Sequence, residues 1–536
     1  FFITISEKPP LGQHKFSEEE QGYIVVKNCT YSIISSLFLN LDGSTIRDSI
    51  TPLVSNQQIM QVATNDSRAK NDPAQYPFSE NIVMWRELHI RAYNCLAAVV
   101  MCTQEQERIF TILFKDFTGK PLWQHLIDCN KIYNSFPVEV SKLGTLQELT
   151  KNLRLERKTS GRSESISPFV SSLHVIGATL SQEPALINSF VGGESEKVME
   201  TSETNDANEY DNSITDMTIS DQDDFDQHPC LAMVLRVIVH LHSKTKTATS
   251  DEMPEWMKAL HSTLSSAGTP MNVCLFIIKV VIKARKIFSP FGYHWIHPVL
   301  LPFLKEPERS GGKSFHYMLR DICITILEWN VSSLPDISLF SRFLNYLLEV
   351  TPNGSSQVLR ANLEIIQHIL SRWKNDVKVD IGIITSYITA GGKTPSTSDK
   401  GILMHRIVGL QLLGAMMSIG LTIYDDIKLP KSEMTKILLS NINLKAKGVY
   451  EASAEILGMI LHQDKGLYEE QQLQSGLKKI LLGIFKEGEV GQYLSILDKI
   501  TLHFPSVLEE YASMVFDLLP RVHGVFRILS LNIILR

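Results

Sequence analysis

No stretch of this sequence stays apolar long enough to cross a bilayer. The longest run, Val273 to Ile282, is interrupted by Lys279 and falls well short of the ~20 residues a span needs, so no membrane association is expected. Cysteine is sparse. Its seven positions (29, 95, 102, 129, 230, 274 and 323) form an odd set without a CxxC pair, which argues against a disulfide framework or a zinc finger. Free thiols that pack as small hydrophobes in a reducing compartment are expected instead. The opening FFITISEKPP has no basic start, apolar middle or small-residue cleavage site. It begins with Phe1 rather than Met, so a piece of a longer protein is expected. Also absent are GxSxG, GxGxxG, HRD and DFG strings, and with them the hydrolase and protein-kinase signatures.

What is present is the composition of a folded protein, with 44% apolar and 21% charged residues. The 536 residues suffice for several ordinary domains or for one elongated repeat array. From about Glu80 to Phe114 apolar residues recur at three- and four-residue spacing, which predicts an amphipathic helix pair. Residues 20–40 suit a helix too, although GYIVV would also fit a strand. Between residues 143 and 227 the pattern fails. A basic patch (Lys151, Arg154, Arg157, Lys158, Arg162) gives way to a Ser-rich stretch, then to twelve acidic residues against the single Lys197 between Glu194 and Asp226. Like charge with little apolar surface cannot offset the entropy of ordering, so a disordered linker is expected there. It would separate an N-terminal helical block at 1–142 from an all-α array at 228–536.

Within that array, helices begin their apolar faces at Leu319, Leu359, Met404, Val449 and Leu494. The steps of roughly 40 to 45 residues match the HEAT or armadillo period. Each helix pair leaves an apolar face that its neighbours must cover, so the fold class expected is all-α, an α-solenoid of HEAT-like repeats.

Candidate chemistry is thin. Two GK[ST] tails, at Gly312-Lys313-Ser314 and Gly392-Lys393-Thr394, lack the second glycine of a phosphate cradle, since Pro307 and Tyr387 stand where it is needed. The string from Asp221 to His228 has Asp226 where a calcium loop needs glycine and Ala232 where it needs glutamate, so it reads as a solvated acidic tail. The pairs His240/His242 and His294/His297 have no third ligand nearby in sequence. No metal, cofactor or catalytic residue is therefore expected. Lys279, Lys283 and Lys286, with Arg285 beside them, line one helix face opposite Phe276, Ile277, Val280 and Val281. Such a stripe is a candidate for facing DNA phosphates, against the plainer reading of a solvated face. Of the Ser-Gln and Thr-Gln dipeptides at Thr103, Ser181 and Ser356, only Ser181 lies in the expected linker, open to a kinase.

Several strings are specific enough to carry a resemblance. They are EWMKALH from Glu255, HWIHPVLLPFL from His294, GGKSFHYMLRDICITILEW from Gly311, NLEIIQHIL from Asn362, VGLQLLG from Val408, YEASAEILGMIL from Tyr450 and LLPRVHGV from Leu518; AYNC at Ala92 and FPVEV at Phe136 match more weakly. Together they make residues 230–536, and patches of 80–140, resemble the central helical region of the DNA-dependent protein kinase catalytic subunit family, in a form distant from mammals. The resemblance implies a noncatalytic scaffold segment of a nuclear, phosphoinositide-3-kinase-related Ser/Thr kinase. It also implies partnership with the Ku heterodimer at double-stranded DNA ends in nonhomologous end joining. ATP and magnesium would then belong to a kinase domain outside this chain. The family carries a phosphorylation cluster in this linker, and Ser181, in TLSQE, lies earlier than the matching place. The alternative is an importin-like adaptor solenoid, which uses repeats of the same length.

Overall fold

The computed structural model describes residues 15–41, 45–46, 55–68, 79–115, 122–133, 223–245, 252–305, 313–351, 356–373, 376–392, 400–418, 420, 430–469 and 471–536. Among them every extended element is a helix. The chain divides into two compact units, with the boundary between Pro335 and Asp336. That differs from the expected division around 143–227, because the residues on both sides of that stretch lie in the first unit. Most of the expected linker falls outside the described residues, but its end does not. Residues 223–227 form a turn in which Asp223 and Phe225 are buried, so the acidic tail is not solvated there.

The first unit opens with α1 (Glu18–Asn40), α2 (Asn56–Ser67) and α3 (Ser79–Thr103). A reciprocal cap settles the helix-or-strand ambiguity of α1. Ser17 Oγ accepts the Glu20 N–H at 3.3 Å while a Glu20 carboxylate oxygen accepts the Ser17 N–H at 2.9 Å. Ile24, Tyr31, Ile34 and Phe38 of α1 are buried, and both α1 and α2 pack on α3. The unit continues through α4 (Leu231–Thr245), α5 (Glu255–Ser265), α6 (Met271–Lys283), α7 (Gly292–Lys305) and α8 (Lys313–Glu328).

The two stretches of this unit are fused by one aromatic core. Trp123 lies 6.3 Å from Tyr93, 6.3 Å from Phe114 and 5.8 Å from Phe276, ring centre to ring centre. Trp256 continues it, 6.3 Å from Phe114 and 6.0 Å from Phe288, and Phe288 meets Trp295 edge-on at 4.8 Å. In α7, Pro298 has no N–H to give the carbonyl of His294 one turn earlier. His261 of α5 supplies the missing donor through Nε2, at 3.2 Å.

The second unit, whose described residues run from Asp336 to Arg536, is a helical repeat solenoid in which helices alternate between two rows. One row holds α9 (Ile337–Val350), α11 (Ile381–Ile388), α13 (Lys431–Ile442), α15 (Gln471–Lys486) and α17 (Leu508–Leu518). The other holds α10 (Ser356–Trp373), α12 (Lys400–Ser418), α14 (Lys447–Gln463), α16 (Val490–Thr501) and α18 (Val525–Leu535), each packed on the next. Four of the five sequence-expected helices fall in this second row and the fifth, at Leu319, in α8. Asp336 and Asp380 cap α9 and α11 by accepting the Leu339 and Gly382 N–H groups at 2.9 and 2.8 Å. Helix α12 contains Gly401–Ser418, which is long and apolar enough to cross a membrane by length and composition. Its Val408, Leu412 and Leu413 are wholly buried in the unit, as befits a core helix.

Candidate functional site

Of the expected basic stripe, Lys279 and Lys283 sit on α6, a helix buried from Phe276 to Lys283, whereas Arg285 and Lys286 follow it in a separate turn of helix, Arg285–Phe288. Lys279 and Lys283 are only 4% and 6% exposed, so they are not open to nucleic-acid phosphates, nor do they form a solvated face. Their partners come from the end of the acidic run. Lys279 Nζ lies 2.7 Å from Asp223 Oδ2 and 2.9 Å from Asp226 Oδ2, and Lys283 Nζ lies 3.2 Å from Asp226 Oδ1. Burial alone would lower the Lys279 pKa, but the Asp223 and Asp226 carboxylates outweigh it and hold the ammonium above its ordinary range. Arg285 is turned elsewhere, with Nε 2.6 Å from Glu328 Oε2, and Lys286 alone of the four is exposed. Paired cations of this kind hold a chain in place.

That chain is a short strap, Asp223–His228. Asp226 N–H closes its turn on Asp223 Oδ1 at 2.8 Å. Between the two carboxylates Phe225 reaches inward, stacked on Tyr133 with ring centres 4.3 Å apart and 6.3 Å from Phe276. His228 meets Phe276 edge-on at 5.3 Å. Burial pushes the His228 pKa down to about 4, so its ring is neutral near pH 7. Asn272, at the start of the same helix, fixes the other strand of chain, donating from Nδ2 to the carbonyls of Asp128 at 2.7 Å and Lys131 at 2.8 Å.

Sequence reading missed two further polar knots. In the first unit, Lys27 Nζ lies 2.8 Å from Asp66 Oδ2, Tyr31 O–H donates to the same carboxylate, and His89 Nδ1 donates to the Asp66 carbonyl. Burial holds His89 down to about 4. The i, i+4 spacing of Lys27 and Tyr31 was visible, but the carboxylate they share lies on another helix. In the second unit, fully buried Glu455 faces His503 Nε2 at 3.4 Å and Lys499 Nζ at 3.6 Å. Both knots are closed inside the fold and are suited to holding helices in register.

The remaining motifs resolve as local structure. Gly392 follows the C-terminal end of α11, and its carbonyl accepts from the buried Arg406 guanidinium, which also bonds the Ala390 carbonyl at 2.8 Å. A phosphate cradle needs converging N–H groups at a helix N-terminus, and here carbonyls converge on a cation. Gly312 and Ser181 lie outside the described residues. His240 stacks on Phe110 at 5.5 Å. Among the described residues no group of three His, Cys, Asp or Glu could hold a metal ion. All seven cysteines are free, and Cys95, Cys230, Cys274 and Cys323 are buried. Thr103 ends α3 and donates to the Val99 carbonyl at 2.7 Å, and Ser356 opens α10.

Comparison with known proteins matches both units. A family model described as DNA-dependent protein kinase catalytic subunit, CC3, covers residues 10–335, and one described as DNA-PKcs, CC5, covers 341–536. Among curated proteins, the dog DNA-dependent protein kinase catalytic subunit is 28% identical over 85% of this chain and 12% of its own length. The mouse protein is 29% identical over 85% of the chain and 12% of its length. That of Dictyostelium discoideum is 26% identical over 97% of the chain and 13% of its length. The chain therefore spans about one eighth of the length of these relatives.

Proposed function

The chain belongs to the DNA-dependent protein kinase catalytic subunit family as a central segment, and from that premise we propose that it is a noncatalytic scaffold of HEAT-like repeats. The longer nuclear kinase would use it in double-strand break repair by nonhomologous end joining. The observation that carries this reading is the stacked row α10, α12, α14, α16 and α18, in which each helix covers the next and buried polar groups tie helices together. Phosphoryl transfer needs a phosphate loop, metal-holding carboxylates and a catalytic base, and the strings that would supply them are missing. ATP and magnesium are assigned to a kinase domain elsewhere in the longer protein. Ku and double-stranded DNA ends are its partners through the whole assembly, and Ser181 is its candidate phosphorylation site. An importin-like adaptor has the same repeat length, but the matches over both units run to the kinase subunit instead.

Two measurements test the proposal. The purified chain, given ATP and magnesium, is expected to transfer no phosphate to a Ser/Thr substrate. The longer protein with residues 336–536 removed is expected to lose at least tenfold of its stimulation by DNA ends with Ku. Turnover abolished by Lys313→Ala or Lys393→Ala would contradict the first expectation. Undiminished stimulation would contradict the second.

A further inference from the structure

In the second unit three polar side chains turn inward without an aligned hydrogen bond to any described group. They are the Tyr468 hydroxyl, Glu510 Oε2 and the Tyr511 hydroxyl, each with its oxygen buried. Tyr468 stands on the short helical turn Lys465–Glu469 that follows α14, and Glu510 and Tyr511 stand side by side near the start of α17. Neighbours fix all three. The Tyr468 ring packs on Phe504 at 5.5 Å, Gln474 of α15 donates from Nε2 to Glu510 Oε1, and Tyr511 is 2% exposed.

The three groups also sense one another. Burial is the largest cause raising the Tyr468 hydroxyl above its ordinary range, and the Glu510 carboxylate adds to it; for Tyr511 burial again comes first, followed by Tyr468 and Glu510. Both phenols therefore keep their protons, and each proton needs an acceptor. Tyr493, which Tyr511 also senses, is turned to Met514 Sδ at 3.8 Å and takes no part.

We propose that Tyr468, Glu510 and Tyr511 bind one ordered water, which accepts from the two phenol O–H groups and donates to Glu510 Oε2. Buried polar groups are costly when unpaired, and internal waters typically make about three hydrogen bonds to such groups. The bound water joins the turn after α14 to α17, and through Gln474 to α15, at the seam between successive repeats. The donor inventory favours water over a small cation. A cation would occupy the phenol lone pairs and turn both phenol protons away from itself and from Glu510, leaving them without an acceptor among the described groups.

A crystal structure of the whole chain, at a resolution that orders single waters, is expected to show one peak within hydrogen-bond reach of all three oxygens. Crystals grown in rubidium chloride should show no anomalous signal there. In solution, Tyr468→Phe and Tyr511→Phe each remove one hydroxyl and keep the packed ring. Each is expected to lower amide-exchange protection in α17 by roughly tenfold. The double variant should lose little more than either single one, because either loss already releases the shared water. Glu510→Gln removes the charge but keeps a polar end for the water, and should hold protection within about threefold. A hundredfold loss in the double variant, no change in either single variant, a rubidium signal, or no peak at all would each overturn the proposal. So would a fall on Glu510→Gln as large as on the phenol substitutions, because charge and not a shared hydrogen bond would then hold the site.

Discussion

Lys279 and Lys283 carry the charge and spacing expected of a phosphate-binding stripe, yet they face inward because their counter-charges stand more than 40 residues earlier, at Asp223 and Asp226. Helical spacing reports which side chains share a face, not what lies opposite. The acidic run was legible as charge, but the burial of its last residues was not, since Phe225 is the side chain that anchors them in the core. Two histidines in the same unit give a pH signature. His89 and His228 are held down to about 4 by burial, so their folded pKa lies below the unfolded value of 6.5. Their contribution is complete above pH 6.5 and is lost as pH falls toward 4, because the unfolded chain takes up the protons first. By pH 5 the loss is about 2 kcal/mol for each. Urea unfolding followed by tryptophan fluorescence from pH 7.5 to 5 should show it, and His89→Gln/His228→Gln should flatten the profile. Identical profiles for the two proteins would refute the assignment.

The repeat helices were the most legible elements, since Leu319, Leu359, Met404, Val449 and Leu494 all lie within observed helices of the expected period. A repeat exposes its own period because every copy must solve the same packing problem. Helix α1 was ambiguous because GYIVV suits either conformation, and the deciding signal was the Ser17–Glu20 cap, three residues apart. Close approach between helices was not legible. A Cβ on Gly458 of α14 would lie 2.7 Å from the Ile500 carbonyl of α16. Gly458→Ala is therefore expected to force two backbones apart at a cost of roughly 1–3 kcal/mol. Gly483 of α15 has open space where its Cβ would stand. There the same substitution should stabilise by up to about 1 kcal/mol through helix propensity. Paired urea midpoints decide between them, and equal effects would mean that the α14–α16 crossing is not tight.

At the scale of the whole molecule, all-helical architecture was readable from composition and spacing, and the strings from Glu255 onward were specific enough to indicate the family. The division of the chain was not, because charge and low apolarity along a segment do not tell which cores the chain on either side of it joins. Here Trp123 and Phe276, on opposite sides of the acidic segment, belong to one core. A chain ending at Pro335 is thus expected to be soluble, helical and cooperative in thermal unfolding. A chain beginning at Cys230 should expose Trp256 and Phe276, and aggregate. Gel filtration and circular dichroism of the two pieces test this, and a well-behaved second piece beside an aggregated first would reverse the division.

The joining of 15–133 to 223–335 also sets an order of events during synthesis. Closing a segment of roughly 90 residues costs about 4 kcal/mol in chain entropy, which local contacts in α1, α2 and α3 cannot repay alone. Trp123 leaves the ribosome well before Phe276 and Phe288 are translated, and at about 5–20 residues per second the delay is on the order of ten seconds. Throughout that interval the first three helices present an unfilled aromatic surface. The newborn protein is then most dependent on chaperones until the helix carrying Phe276 has been completed, and a slower codon usage across the acidic segment would lengthen that exposure.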